Sequence, residues 1–297
     1  MQRRWLVWFS LLVGGVLWAA VGWAQQPRPG GTLRIAFPGD PAFFDANQGP
    51  APGAQAYWLS NSLYNSLLTL TPPPELKIVP DLAKAWEVLD GGKTYVFRLE
   101  EGVQFHDGMA FDAQVAKWNI DRILNPEVKV WVRPFYEDID QVEVVDQYTL
   151  RVRMKEPSGA LLMALAGYFR GIPMISPTAF QKYGEDWTRH PVGTGPFMLK
   201  EYIPGQHVLL VKNPHYFKPG LPYLDALECR IMKDPLTATT ALRAGEIDFI
   251  VRIPLQQIPI LERSPGITLV TGPAMIPTVG SLTCASHPFM TSGPGAR

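Results

Sequence analysis

The stretch AWEVLDGGKTYVFRLEEGVQFHDG, residues 85–108, alternates apolar and polar side chains after a pair of adjacent glycines. Tyr95, Phe97 and Leu99 fall on one face of an extended chain, and Gly91-Gly92 supplies the turn that leads into it. The triplet 106–108, HDG, is typical of a turn in which the aspartate side chain bonds to nearby backbone. The stretch therefore predicts a twisted β-scaffold with tight turns.

A second glycine-rich segment, GTGPF at residues 193–197, has the same character. Glycine permits backbone conformations that are closed to other residues, and we expect Gly193 and Gly195 to use that freedom. Pro196 fixes its own φ, so the segment is predicted to be a rigid loop. Neither segment contains a plausible set of catalytic residues.

Hydrophobic periodicity divides the rest of the chain between strands and helices. Alternation predicts strands at 32–37, 95–99, 142–145, 149–154, 197–202, 207–211, 226–231 and 247–250. Helical spacing predicts helices at 54–68, 113–124 and 236–244, with Asp112 as the N-cap of the second. Strands that interleave with helices over the whole chain indicate an α/β fold with mixed sheets.

A set of short motifs, in one order along the chain, resembles the extracellular solute-binding proteins of ABC transporters, family 5, the peptide- and nickel-binding type. Each motif is common by itself, but all of them in this order are specific to the family. The resemblance covers roughly residues 31 to 285. The motifs are VPDLAKAW (79–86), YVFRL (95–99), GVQFHDG (102–108), GTGPF (193–197), Tyr202 with Pro204-Gly205, Asn213-Pro214 with Tyr216, PYLD (222–225) and ALRAGEID (241–248).

The resemblance implies a fold and a function. The expected fold is an α/β lobe of the periplasmic-binding-protein-like type II, peptide-binding class, with mixed β-sheets flanked by helices and its second lobe missing. The expected function is capture of a small solute outside the membrane and its delivery to an ABC permease with its ATPase. A peptide is the first choice of solute, ahead of a nickel chelate or an oligosaccharide. The resemblance implies a monomer that needs no cofactor and is not an enzyme.

Residues 1–24 are predicted to be a signal peptide. Two arginines at positions 3 and 4 precede an apolar run from Trp5 to Val21, and small residues at Gly22 and Ala24 fit a cleavage site. The alternative is a retained membrane anchor, since the run approaches the shortest length that spans a bilayer. No cysteine follows the run directly, which argues against a lipoprotein. We therefore expect an exported, periplasmic or extracytoplasmic protein.

The expected domain organisation is an N-terminal lobe over residues 25–275 and the start of a hinge crossing with an aberrant tail over 276–297. After Phe289 the sequence stops following the family pattern. Inserting one G after that codon allows Asp-Asp at the next two positions, as the family pattern requires. We interpret the tail as the product of a frameshift and expect weak solute binding, because a two-lobed clamp needs contacts from both lobes.

Charge and cysteine content restrict which binding partners and which disulfide are expected. The chain has 27 basic and 27 acidic residues, a formal net charge of +0, which argues against nucleic acid as a partner. Cys229 and Cys284 are the only cysteines. An exported protein could pair them, while the position of Cys229 in a predicted strand favours a buried free thiol.

The candidate ligand-contacting residues lie in the loop after the first strand and on the next helix. Flat aromatic area with a few hydrogen-bonding groups suits a pocket that reads mainly the backbone of its solute. The alternative is that the helix aromatics are core residues at helical spacing. The candidates are Phe43, Phe44, Asn47, Tyr57, Trp58 and Tyr64.

Two other functions compete with solute binding. An exported hydrolase would need a nucleophile with its base or a metal set, and no such motif is present. His106 is a weak metal candidate because no other histidine stands at a helical ligand spacing from it. A membrane-tethered, non-catalytic module held by residues 5–21 is the other alternative, and a mature N-terminus at Gln25 would exclude it.

Overall fold

A seven-stranded mixed sheet forms the larger half of the protein. The computed structural model describes residues 27–45, 47, 54–72, 75–166, 171–250, 253–271 and 281–285. The strand order is β12-β13-β11-β1-β10-β9-β8, and β1 runs parallel to both of its neighbours while the other pairs are antiparallel. Its strands are β1 (Thr32–Phe37), β8 (Phe197–Ile203), β9 (His207–Lys212), β10 (Ala226–Ile231), β11 (Phe249–Ile250), β12 (Ile267–Thr271) and β13 (Ser281–Ala285).

Helices cover both faces of this sheet, because the last three residues of β1, 35–37, are apolar and buried. Ile35 and Phe37 point to one face, where they pack in a buried cluster with Leu59 and Leu63 of α1 (Ala54–Leu63). Ala36 points to the other face, which is covered by α5 (Pro235–Arg243) and α6 (Ile258–Glu262). A strand buried on both faces is expected at the centre of such a sheet.

A four-stranded antiparallel sheet forms the second half. Its order is β4-β5-β7-β6, with β4 (Ala83–Leu89), β5 (Thr94–Leu99), β6 (Ile139–Asp146) and β7 (Thr149–Met154). Its inner face buries Phe97 and Leu150 beneath α2 (Ala113–Leu124). A small sheet of β2 (Leu68–Leu70) and β3 (Ile78–Pro80) and the helices α3 (Ala160–Ala166) and α4 (Pro177–Tyr183) complete the described elements.

The loop of Gly193 to Gly195 joins the two halves. A Cβ on Gly193 would lie 2.1 Å from the Leu63 carbonyl oxygen, and one on Gly195 would lie 2.3 Å from the Leu63 carbonyl carbon. Neither glycine is among those with a positive φ. The expectation that they provide unusual backbone conformations is therefore wrong, and their role is to let the loop touch the end of α1.

Several element predictions are confirmed and two need correction. β1, α2 and β10 have the predicted bounds, and Asp112 caps α2 by accepting a hydrogen bond from the Val115 backbone N–H at 3.0 Å. The helix predicted to run to residue 68 ends at Leu63, since the Leu63 carbonyl accepts the Gly195 N–H at 3.0 Å. The strand predicted at 247–250 begins at Phe249.

The two cysteines are too far apart to form a disulfide. Cys284 in β13 is paired with Phe249, Phe249 with Ile35, and Ile35 with Cys229, so three inter-strand steps separate them. Three steps correspond to about 14 Å, whereas bonded cysteines need Cα atoms within about 7 Å. Burial raises the pKa of the Cys229 thiol to about 12, which makes it an inert core group.

The predictions for the two ends of the chain lie mostly outside the described residues. The signal peptide at 1–24, residues 276–280 and the tail at 286–297 belong to this group. Within the described ranges, no helix has the combination of length and apolar character that a membrane crossing requires.

Candidate functional site

The carboxyl ends of the parallel strands β1, β10 and β11 meet at one edge of the seven-stranded sheet. Because β1 lies between β10 and β11, the chain leaves the sheet here at Phe37, Ile231 and Ile250. In open α/β sheets, ligands bind in the crevice outside the carboxyl ends of the strands, where connections diverge. We call the surface that is formed by α1 and by the described residues following β1, β10 and β11 the carboxyl edge.

The loop after β1 is fixed to the β8–β9 hairpin at its start. One oxygen of Asp40 accepts hydrogen bonds from the Gly205 backbone N–H at 2.7 Å and from the Tyr202 hydroxyl at 3.2 Å. The Tyr202 ring packs edge-on against Phe44 at 5.5 Å between ring centroids. These contacts bury Phe44 to 2% exposure and define the path of the loop.

The end of the same loop is fixed to α2 by buried polar groups. The Asp45 side chain accepts the Asn47 backbone N–H at 2.8 Å, and the Asn47 amide donates to the Gly171 carbonyl at 3.0 Å. The second Asp45 oxygen lies 3.7 Å from Arg122 Nη2 in an ion pair that is almost completely buried. Burial raises the pKa of Asp45 and lowers that of Arg122, while the attraction between the two groups opposes both shifts.

The first helix presents aromatic surface at the carboxyl edge. The Trp58 ring lies 5.4 Å from that of Phe249 in β11 and remains 37% exposed. Tyr57, the preceding residue, is half-buried, and burial raises the pKa of its phenol, which stays neutral. An indole and a phenol with both apolar area and a polar tip suit contacts to a small organic solute.

The structure places the six candidate residues in two groups. Phe44 and Tyr64 pack in the same buried cluster against β1, and Asn47 is buried by its hydrogen bonds in the loop. Phe43, Tyr57 and Trp58 are at least partly accessible to solvent. The choice of all six as ligand contacts stays a prediction, with the accessible three as those able to touch a solute in this conformation.

Two exposed leucines at the same edge were not among the candidates. Leu236 begins α5 just after β10, Leu255 follows β11, and each is 57% exposed. The signal that points to them is positional, since both come within a few residues of the carboxyl end of a strand parallel to β1. An isolated leucine in a sequence does not reveal this, because the parallel pairing depends on contacts far apart in the chain.

His106 belongs to the join between the two halves and not to this edge. Its Nδ1 accepts the Gly193 backbone N–H at 3.2 Å, and its Nε2 donates to the Gly195 carbonyl at 3.1 Å. Burial lowers the pKa of the imidazole to about 4, so it is neutral at physiological pH. Among the described residues, no group of three or more His, Cys, Asp or Glu side chains is arranged to hold a metal ion.

Comparison with protein families gives a match over most of the chain. The family model described as bacterial extracellular solute-binding proteins, family 5 Middle, matches residues 77–292. A glutathione-binding protein GsiB of Pectobacterium atrosepticum is 32% identical over 291 residues, which cover 97% of this chain and 54% of that protein. The chain thus spans about half the length of the curated relatives it matches.

Solved structures agree with this result. The oligopeptide-binding protein AppA of Bacillus subtilis, in complex with a nonapeptide, has a TM-score of 0.74 and 26% identity, covering 83% of this chain and 49% of that chain. NikA of Brucella suis, in complex with Fe(III)-EDTA, has a TM-score of 0.73 and 26% identity, covering 82% and 49%. The mixed α/β architecture of this chain therefore matches about half of each of these structures.

Proposed function

The chain belongs to the bacterial extracellular solute-binding proteins, family 5, and from this premise we propose that its carboxyl edge forms one wall of the cleft in which a small solute is captured for an ABC importer. Proteins of this family are carriers and not enzymes. The single observation that supports the location is the position of Trp58 in α1. Its ring packs against Phe249 of β11, one of the parallel strands, and more than a third of its surface stays exposed.

Peptides, including small ones such as glutathione, are the proposed solutes. The accessible candidates Phe43, Tyr57 and Trp58 carry no formal charge, which suits recognition of a peptide chiefly through its backbone and apolar side chains. A relative named as a glutathione-binding protein and the structure of an oligopeptide-binding protein in complex with a nonapeptide support this choice. A metal chelate is the second candidate, favoured by the similarity to NikA with its bound Fe(III)-EDTA.

The proposed setting is outside the cytoplasmic membrane. The protein would act there as a monomer without a lipid anchor and pass its solute to an ABC permease that works with an ATPase. A second wall of the cleft, which in this proposal belongs to the part of the relatives that this chain does not span, would close over the solute. With one wall alone, we expect weak binding, with a Kd of about 1 mM.

Fluorine NMR of the 5-fluorotryptophan-labelled chain, residues 25–297, tests the proposal because it detects weak binding. Glutathione is titrated to about 50 mM, well above the expected Kd, and a nonapeptide to millimolar concentration. The Trp58 signal is assigned with Trp58→Phe. We expect the Trp58 signal to shift with solute, because its ring is exposed at the carboxyl edge. Trp131, which packs against Phe135 near the four-stranded sheet, provides the internal control and should not shift.

The same samples separate the alternatives. If the Trp131 signal shifts while the Trp58 signal stays fixed, the proposed location is contradicted. If no tryptophan signal shifts, solute binding by this chain is contradicted. Glutathione that is recovered chemically changed after incubation would favour the exported hydrolase.

A further inference from the structure

Arg122 is a buried cation whose donors have hardly any partners. Its side chain is 3% exposed, and within the part of the chain that the structure describes, Nε, Nη1 and Nη2 make no hydrogen bond. One oxygen of Asp45 and the amide oxygen of Asn47, both buried, also make none. Orphaned polar atoms are rare in protein interiors, and a concentration of them at one place calls for a reason.

Asp45 provides the one opposite charge beside this guanidinium among the described ion pairs. Nη2 stands 3.7 Å from Asp45 Oδ2, beyond hydrogen-bonding distance, and the Cζ atom of the guanidinium lies over the Trp187 ring, 5.3 Å from its centre. Removing one member of a buried ion pair leaves an uncompensated charge, whereas removing both charges together costs far less. The two side chains therefore depend on each other for their burial.

Among the described residues of the loop after β1, Asp45 is the one that forms an ion pair with Arg122. The other Asp45 oxygen accepts the Asn47 N–H, so the same carboxylate shapes the turn from 45 to 47. Phe43 lies two residues before Asp45, and α1 with Trp58 follows the loop. Arg122 itself is in α2, which packs on β6 and β7 of the four-stranded sheet. The ion pair thus connects the carboxyl edge to the opposite half of the protein.

We propose that Arg122 is a positioning residue for solute binding: through Asp45 it holds the loop after β1 against α2, so that Phe43 and α1 keep the arrangement that receives the solute. This rests on the proposed function of the carboxyl edge. Arg122 is too deeply buried to touch a solute, so its influence on affinity is indirect. The distinctive consequence is that affinity and stability respond separately to changes in the pair.

The test uses Arg122→Met, the double variant Asp45→Asn/Arg122→Met, and Ile120→Ala as a matched control in the same helix. Ile120 is fully buried in the core of the four-stranded half, so its truncation destabilises α2 without touching the loop. For each variant, Tm is measured together with the apparent Kd for glutathione from the Trp58 fluorine signal. Exchange of the Asn47 backbone amide is followed by NMR as a direct report on the loop.

We expect Arg122→Met to weaken glutathione binding about tenfold and to speed exchange of the Asn47 amide. The double variant should regain most of the lost Tm because no unpaired charge remains, yet keep the weakened affinity and the fast exchange. Ile120→Ala should lower Tm and leave the Kd within twofold of the wild type.

Three results would overturn the proposal. A double variant that recovers affinity together with Tm would show that Arg122 serves stability alone, as would an unchanged Kd in folded Arg122→Met. Absence of any glutathione response in the wild-type chain would remove the proposed function and this inference with it, which distinguishes that failure from one confined to Arg122.

Discussion

The two sheets of this protein differ in the side chains that they expose to solvent. The solvent face of the four-stranded sheet carries ion pairs between neighbouring strands, such as Arg98–Glu87 and Arg151–Glu143. The carboxyl edge of the seven-stranded sheet instead exposes Trp58, Leu236 and Leu255. The four-stranded half also exposes some apolar side chains, including Val88, Val145, Phe135 and Met163, but no tryptophan among its described residues is exposed to the extent of Trp58.

This difference separates support from recognition. Exposed apolar and aromatic area is retained where it contacts something else, while a surface that meets only water is served by charges. In the proposed function, the four-stranded half is the support and the carboxyl edge is the surface that receives the solute. Between them, Gly193, Gly195, His106 and the Asp45–Arg122 pair hold the two halves in register.

The largest effect is expected from Phe97→Ala in the closed core. Phe97 is fully buried and stacks with Tyr95 at 6.4 Å, so truncation leaves a cavity that its neighbours cannot fill. We expect a loss of about 4 kcal/mol in the free energy of unfolding, measured by urea denaturation. A loss below about 1 kcal/mol would mean that this half is not the closed support.

Gly195→Ala should break the contact between the halves. The new Cβ would lie 2.3 Å from the Leu63 carbonyl carbon and 2.6 Å from the Tyr64 nitrogen, so backbone must move. The expected loss is about 3 kcal/mol. Gly159→Ala is the matched control, because its Cβ would meet nothing within 4 Å, and its unfolding free energy should change by about 0.5 kcal/mol at most.

His106 makes the stability of the contact between the two halves sensitive to acid. Its pKa is about 4 in the folded protein and about 6.5 when unfolded, so between these values the unfolded chain binds a proton that the folded chain does not. Stability should therefore fall as the pH drops from 6.5 towards 4, by up to about 3 kcal/mol, with no further contribution from this group below pH 4.

The measurement is the unfolding free energy from pH 7 to 4 in the wild type and in His106→Gln, which keeps one donor and one acceptor. The difference between the two curves isolates His106 from the carboxylates. Equal slopes in wild type and His106→Gln would refute this role.

The smallest effect is expected from Trp58→Ala at the carboxyl edge. Trp58 is partly solvated and contacts Phe249 from outside the core, so its removal should cost about 1 kcal/mol or less in unfolding free energy. The difference in unfolding free energy between Phe97→Ala and Trp58→Ala measures how far the closed core and the carboxyl edge differ. A loss as large as that of Phe97→Ala would make Trp58 a core residue.

Local sequence patterns predicted much of the fold. Alternation in residues 32–37 and the Asp112 cap before an amphipathic helix specify β1 and α2, because the decisive interactions lie within a few residues. The Asp107 side chain bonds to the Met109 N–H at 3.1 Å, as the predicted turn requires. Such features need no knowledge of distant contacts.

Features that depend on distant contacts were missed or misread. Gly193 and Gly195 are explained by the backbone of Leu63 some 130 residues earlier, and the same contact ends α1 before its apolar pattern does. Helical spacing could not separate exposed Trp58 in α1 from buried Tyr64, which directly follows the helix, because burial depends on which side of this segment meets the sheet. The pairing of Arg122 with Asp45 is likewise a product of tertiary structure.

Covalent capture of a solute tests the central claim most directly. A photoreactive diazirine derivative of glutathione is irradiated with the chain, with and without excess unlabelled glutathione, and the labelled peptides are identified by mass spectrometry. The account predicts label that competes with glutathione on residues 38–47 and 54–63. Competable label on the strands of the four-stranded sheet instead, or label that excess glutathione does not reduce, would contradict it.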